Sequence, residues 1–190
     1  MSHFFAMMSR MKYINRWGLM NNTKNENISE HSLQVAMLAH ALVTISNERL
    51  GTAFDANKAA VIGLFHDASE ILTGDMPTPI KYYNPSIKEA YKNVEKVAEN
   101  KLIEMLPSDL QGVYSDVISP KDEQLKVFVK ASDKLSALIK CIEEVRMGNN
   151  EFLKAQESIT QALSDMHLEV LDIFMAEFLP DFSLTLDELD

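Results

Sequence analysis

The chain is short of the residues that make turns and cross-links. It has one cysteine, six glycines and six prolines in 190 residues. A lone Cys141 rules out an intrachain disulfide and fits a reducing compartment. So few turn formers favour long helices over many short strands. No apolar run approaches the roughly 18 residues of a membrane span. The longest near the start, Phe4 to Met8, is followed by Arg10, Lys12 and Arg16, the reverse of a secretory signal. Both features predict a cytoplasmic protein with no membrane partner. Positive charge is also scarce, with 18 Lys+Arg against 28 Asp+Glu and a net charge of −10. That balance opposes binding to a nucleic-acid polymer, which needs a basic surface. No Gly-rich phosphate loop of either standard type appears, and no Ser nucleophile elbow.

Hydrophobic residues make up 46% of the chain, enough for one substantial core. There is no internal repeat, linker or sustained strand alternation. The pattern predicts one all-α domain over residues 1–190, a bundle of about six main helices. Helix 1 is expected over 3–17. Helix 2 should open at Asn27, with Glu30 as capping-box partner, and run to Leu50 before Gly51. Helix 3 is placed at 56–72 with Asp55 as its cap. The loop from Gly74 to Pro79 should be stiff and non-helical, because it holds two prolines. Asn84-Pro85 should open helix 4, ending at Pro107. Residues 108–117 are ambiguous. Ser119-Pro120 suggests the start of helix 5, which runs to about Met147. Helix 6 is expected over 150–178, with an acidic tail beyond it.

Chemistry concentrates at His66-Asp67, near the end of helix 3. Neighbouring helical residues sit about 100° apart, so two long side chains can converge on one ion. Glu70, four residues after His66, shares their face. Buried charges at that density need a cation or a hydrogen-bond network. His31 and Asp133 could complete a metal site, although Asp133 could equally face solvent and pair with Lys130 or Lys134. Two nitrogens and two oxygens suit a first-row divalent ion such as Mn, Co, Fe or Zn. Arg16 and Trp17 have ordinary readings as a surface cation and a core anchor. His40, on the far face of helix 2, reads as structural, and His3 and His167 as surface residues. Cys141 has no context that would lower its pKa.

The order His31, His66-Asp67, Asp133 resembles the HD-domain metal-dependent phosphohydrolases. The likeness extends through 13–17 (Tyr-Ile-Asn-Arg-Trp), 26–40, 66–79 and 149–153 (Asn-Asn-Glu-Phe-Leu) to the bacterial 5′-deoxyribonucleotidase branch. That resemblance implies a single HD domain and hydrolysis of deoxyribonucleoside 5′-monophosphates. It implies one divalent transition metal per subunit, Co, Mn or similar, held by His31, His66, Asp67 and Asp133. Arg16 and Trp17 match the pair that contacts substrate and helps select a 2′-deoxy sugar. Glu70 matches the catalytic carboxylate, with Asp75 beside it. Asp75, Met76, Pro77 and Thr78 match the loop that completes the nucleotide pocket, where His31, Asp67 and Asp133 also meet substrate. A homodimer is implied as well. Two competing expectations are action on another phosphate ester, such as a deoxynucleoside triphosphate, and a non-catalytic nucleotide or metal sensor.

Overall fold

The computed structural model describes residues 2–81 and 83–189, with the side chain of Thr78 outside the described set. No named strand occurs among the described residues, and one isolated antiparallel bridge joins Asn15 to Asn27. No helix among them is long and apolar enough to cross a membrane.

The expected count of about six helices is too low, because three of them break. The first stops early: α1 spans Phe4–Met8 and tightens into a 3₁₀ turn over Ser9–Tyr13. The second forms as expected. In α2, Ile28–Leu50, the Asn27 side chain accepts from the backbone of Ser29 and Glu30, and Glu30 returns the bond to Asn27 N–H. Gly51 closes it in the left-handed region at φ 71°. Asp55 caps α3, Ala56–Phe65, which ends before His66 instead of continuing to 72. Residues 66–69 form a turn, and α4 covers Glu70–Thr73. The Pro-flanked loop is shorter than expected. A short helix, α5, occupies Thr78–Lys81, because Pro79 lies in its first turn, where a missing N–H costs nothing.

Asn84 caps α6, Pro85–Glu104, and the ambiguous stretch is helical as α7, Ser108–Ile118. Ser119-Pro120 does not open the next helix. Asp122 does, accepting from Gln124 and Leu125 N–H, and α8 runs Glu123–Arg146. The last expected helix divides into a 3₁₀ turn at Asn150–Phe152, α9 at Leu153–Ser164 and α10 at Glu169–Glu177. The break at 165–168 carries His167 at φ 50°. The acidic tail holds 3₁₀ turns at Leu179–Ser183 and Leu186–Glu188.

Two apolar clusters hold these pieces. The larger packs α2, α3, α8 and α10 through Val35, Leu42, Ile62, Leu135, Leu138 and Phe174. The smaller joins Phe4 of α1 to Leu102, Ile103 and Ile118 on α6 and α7. Val94, on α6, is exposed. The closest helix approach is between α2 and α3. A Cβ on Gly63 would lie 2.9 Å from the Ala36 Cα, so only glycine allows this spacing. That contact brings the start of α2 beside the end of α3, where the histidines lie.

A candidate metal centre between four helices

His31 sits in the first turn of α2 and is fully buried. His66 and Asp67 follow the last turn of α3, and Asp133 lies midway along α8. The fold brings all four together. His31 Nε2 is 3.1 Å from Asp133 Oδ1 and 3.5 Å from Asp67 Oδ2, and His66 Nε2 is 3.1 Å from Asp67 Oδ2. Donor atoms of His31, His66 and Asp133 all lie within 4.8 Å of one another. Tetrahedral ligands at about 2.1 Å from one ion stand about 3.4 Å apart, so this spacing fits a single cation. Asp133 faces His31 and Arg16, not Lys130 or Lys134.

The second layer prepares the two imidazoles as ligands. His66 Nδ1 donates to the Gly63 carbonyl at 2.8 Å. In the neutral imidazole that leaves Nε2 with the lone pair a metal ligand requires; without an ion it faces Asp67 Oδ2 at 3.1 Å. For His31, Ser136 Oγ donates to Gln34 Oε1 at 2.6 Å and so can accept from His31 Nδ1 at 3.0 Å. With that tautomer Nε2 carries the lone pair a metal would take; without an ion Nε2 lies 3.1 Å from Asp133 Oδ1, which it can bond only in the Nε2–H tautomer. Arg16 Nη1 lies 2.6 Å from the same Nδ1, a position it can keep as donor only with the other tautomer.

Charge is unbalanced here without a cation. Burial opposes ionisation of Asp67, but His66 outweighs it and brings the carboxyl down to about 2. Burial likewise opposes charge on His66, yet Asp67 raises it to about 9. Asp133 is held below the usual carboxylate range against its burial, chiefly by the hydrogen bond with His31. His31 is pushed down by burial and by Arg16, so it stays neutral as a ligand must. Glu70 opens α4 next to this group, and its Oε2 is buried without a partner. Burial, then Asp67 and Asp75, push Glu70 up to about 10. Asp75 is raised by burial despite the nearby Arg16. A divalent ion would relieve this cluster of carboxylates.

Arg16 and Trp17 approach from the loop before α2. Arg16 Nη2 is 3.9 Å from Asp133 Oδ1, and the backbone of Trp17 hydrogen-bonds the Asp75 carboxylate. Met76 and Pro77 continue that loop, half-buried. The expected substrate contact by Thr78 lies outside the described residues, because its side chain is not among them. On another side, a cavity of about 320 Å³ reaches His66 and Asp133 between α6, α7 and α8. Ile62, Ile118 and Val129 give it apolar walls, and Lys126 and Lys130 give it cations.

Several residues that hold the site are not evident in the sequence. Glu26 binds both Arg16 and Trp17. Glu144, fully buried on α8, accepts from Thr23 and Lys24 N–H at 2.9 and 3.1 Å, from Asn149 and from Lys140. It thereby ties the Asn-rich loop to the helix that carries Asp133. Outside the site, His3, His40 and His167 are exposed, and burial raises the Cys141 thiol to about 12, which leaves it unreactive.

Known proteins resemble this chain along nearly its whole length. The 5′-deoxynucleotidase YfbR-like family model matches residues 3–182. A 5′-deoxynucleotidase of Citrobacter koseri is 49% identical over 190 residues, covering 99% of this chain and 96% of that protein. One from Yersinia pestis is 50% identical over 191 residues, covering 100% and 97%. Among solved structures, an HD-domain phosphohydrolase from Listeria innocua superposes with a TM-score of 0.83 at 23% identity, covering 95% of this chain and 88% of that one. A cyanophage S-2L HD phosphohydrolase bound to dA and one catalytic Zn²⁺ superposes with a TM-score of 0.68 at 22% identity, covering 95% and 96%. An all-helical HD fold, a family match over residues 3–182 and half-identical relatives along the full chain place this protein in the YfbR-like 5′-deoxynucleotidase family.

Proposed function

We propose that the protein hydrolyses deoxyribonucleoside 5′-monophosphates to a deoxyribonucleoside and inorganic phosphate, using one divalent transition metal per subunit. The observation that carries this reading is the centre itself. Two imidazole lone pairs and two carboxylates converge next to an unpartnered buried carboxyl, with a guanidinium alongside. Family membership supplies the substrate class.

In this proposal His31, His66, Asp67 and Asp133 hold the ion. When bound, such an ion polarises the phosphoryl oxygens and lowers the pKa of a bound water. Arg16 offers its planar fork to the phosphate. Glu70 has an oxygen free to pass a proton to or from the reacting oxygens. Asp75 holds the Trp17 backbone, and Met76 and Pro77 lead from it to Thr78 at the start of α5, completing the nucleotide pocket. Trp17 walls the sugar so that a 2′-hydroxyl meets a surface that cannot hydrate it.

The proposal extends to a single HD domain over 1–190, a cytoplasmic location and a homodimer. Leu33, Met37 and Leu64 support the homodimer, forming an exposed apolar groove between α2 and α3 that a second copy would cover. Product analysis tests the reaction. Orthophosphate released in equal amount with deoxynucleoside from dAMP supports it. Release of inorganic triphosphate from dATP, with dAMP untouched, contradicts it in favour of the triphosphate alternative. Absence of phosphatase activity with Mn, Co and Mg leaves the sensor reading standing.

A further inference from the structure

We infer that Glu26 is a positioning residue that sets sugar selection, because one of its oxygens fixes both Arg16 and Trp17. Glu26 Oε2 accepts from Arg16 Nη1 at 2.8 Å and from Trp17 Nε1 at 2.9 Å. The carboxylate and the guanidinium are both largely buried. The backbone is paired in the same place: Arg16 N–H donates to the Glu26 carbonyl at 2.9 Å, and Ile28 N–H to the Ile14 carbonyl at 2.9 Å. Segments 14–17 and 26–28 therefore move as one unit.

Trp17 needs such a hold. Its φ of 60° is left-handed, a conformation unfavourable for a non-glycine residue. The Trp17 carbonyl accepts from Met20 N–H at 2.9 Å and from Asn22 Nδ2 at 3.1 Å, and its ring leans on Phe152 at 5.4 Å. Those contacts fix the backbone and one ring face. Only Glu26 fixes the indole N–H among the described residues, and so sets the tilt of the ring. The same oxygen sets the angle of the Arg16 fork. A sugar wall and a phosphate clamp thus share one anchor, and a shift of the anchor changes the distance between them. Such a shift opens the wall to a 2′-hydroxyl and so relaxes the discrimination against ribose.

The inference rests on the proposed role of Trp17 in selecting the deoxy sugar, and the test separates the two. The kcat/KM ratio for dAMP over AMP is measured in wild type, Glu26→Ala, Glu26→Gln, Trp17→Ala and Trp17→Phe. Glu26→Ala is expected to lower the ratio by about tenfold, a typical loss for a displaced specificity contact. Glu26→Gln retains an oxygen that can accept both bonds and should keep most of the ratio. Trp17→Phe keeps an aromatic ring but has no N–H for Glu26, and should lose selectivity even if Glu26→Ala does not fold. A general structural weakening lowers both substrates equally and leaves the ratio unchanged. Trp17 is the only tryptophan, so its emission reports the anchor directly: Glu26→Ala should shift the spectrum and increase acrylamide quenching, and Glu26→Gln should not. An unchanged ratio in Trp17→Ala refutes the sugar-selection role. An unchanged ratio in Glu26→Ala with a collapsed ratio in Trp17→Ala refutes the inference, as does unchanged Trp17 emission.

Discussion

Glu70→Gln should abolish turnover and yet stabilise the metal-free protein. Glu70 is 6% exposed, its Oε2 has no partner, and its pKa is raised from 4.5 to about 10 by burial and by Asp67 and Asp75. The folded state therefore holds a proton that the unfolded state releases above pH 4.5. By linkage, stability is fully present below that value and falls as pH rises toward 10, by about 1.4 kcal/mol per pH unit. At pH 7 the span is 2.5 units, so the accumulated loss is about 3 kcal/mol as an upper figure. Gln is the neutral isostere and never incurs it. For a chain of this size, about 2–4 °C per kcal/mol gives a rise in Tm of about 6–12 °C at pH 7. The assay is thermal unfolding of both proteins after EDTA treatment, from pH 4 to pH 9. The Tm gap should be near zero below about pH 4.5 and widen steadily above it. Adding a divalent ion should narrow the gap, because the cation favours ionised Glu70 in wild type. A variant less stable than wild type, or a gap that ignores pH, refutes the reasoning.

Three further outcomes follow from particular contacts. Glu144→Gln strands the buried Lys140 ammonium, so the midpoint at pH 7 should fall by the equivalent of about 3–5 kcal/mol in denaturant unfolding. The folded-state pKa of Glu144 is depressed below 4.5 by its hydrogen bonds despite burial, so its contribution is present above that pH. The deficit of the variant should shrink as pH falls below it; a constant deficit contradicts the assignment. Gly63→Ala places a Cβ 2.9 Å from the Ala36 backbone and should cost about 1–3 kcal/mol, outweighing the better helix propensity of alanine. Because α2 and α3 then separate, metal affinity should fall too, read by equilibrium dialysis; unchanged affinity refutes that link. Removing the metal should abolish binding of dAMP as well as turnover, since Arg16 alone faces Asp67, Asp75 and Asp133. Undiminished dAMP affinity by calorimetry in EDTA contradicts this.

Features encoded within a few residues were legible in the sequence. The Asn27–Glu30 capping box, the Asp55 and Asn84 caps and the left-handed Gly51 are local devices, and each stands where expected. Breaks without a Gly or Pro were not legible. The turn at 66–69 and the break at 165–168 interrupt continuous helical periodicity, and His167 takes the positive φ that glycine usually supplies. Ser119-Pro120 imitates a cap, but Asp122 two residues later wins by accepting two backbone N–H groups. At the site, His31, His66-Asp67 and Asp133 were found through residue type and order. Glu26, Lys140 and Glu144 were not, because their partners lie up to 121 residues away and an acidic residue in a loop or on a helix carries no spacing signal.

The central claim is that this metal centre removes phosphate from the 5′ position of a deoxy sugar. The most direct measurement is initial rates on matched deoxy- and ribonucleoside 5′- and 3′-monophosphates, with Co, Mn or Mg restored to metal-stripped protein. The account predicts phosphate release from deoxyribonucleoside 5′-monophosphates with a transition metal, and little from ribo or 3′ substrates. Equal rates on ribo and deoxy substrates, or undiminished rates without metal, would contradict it.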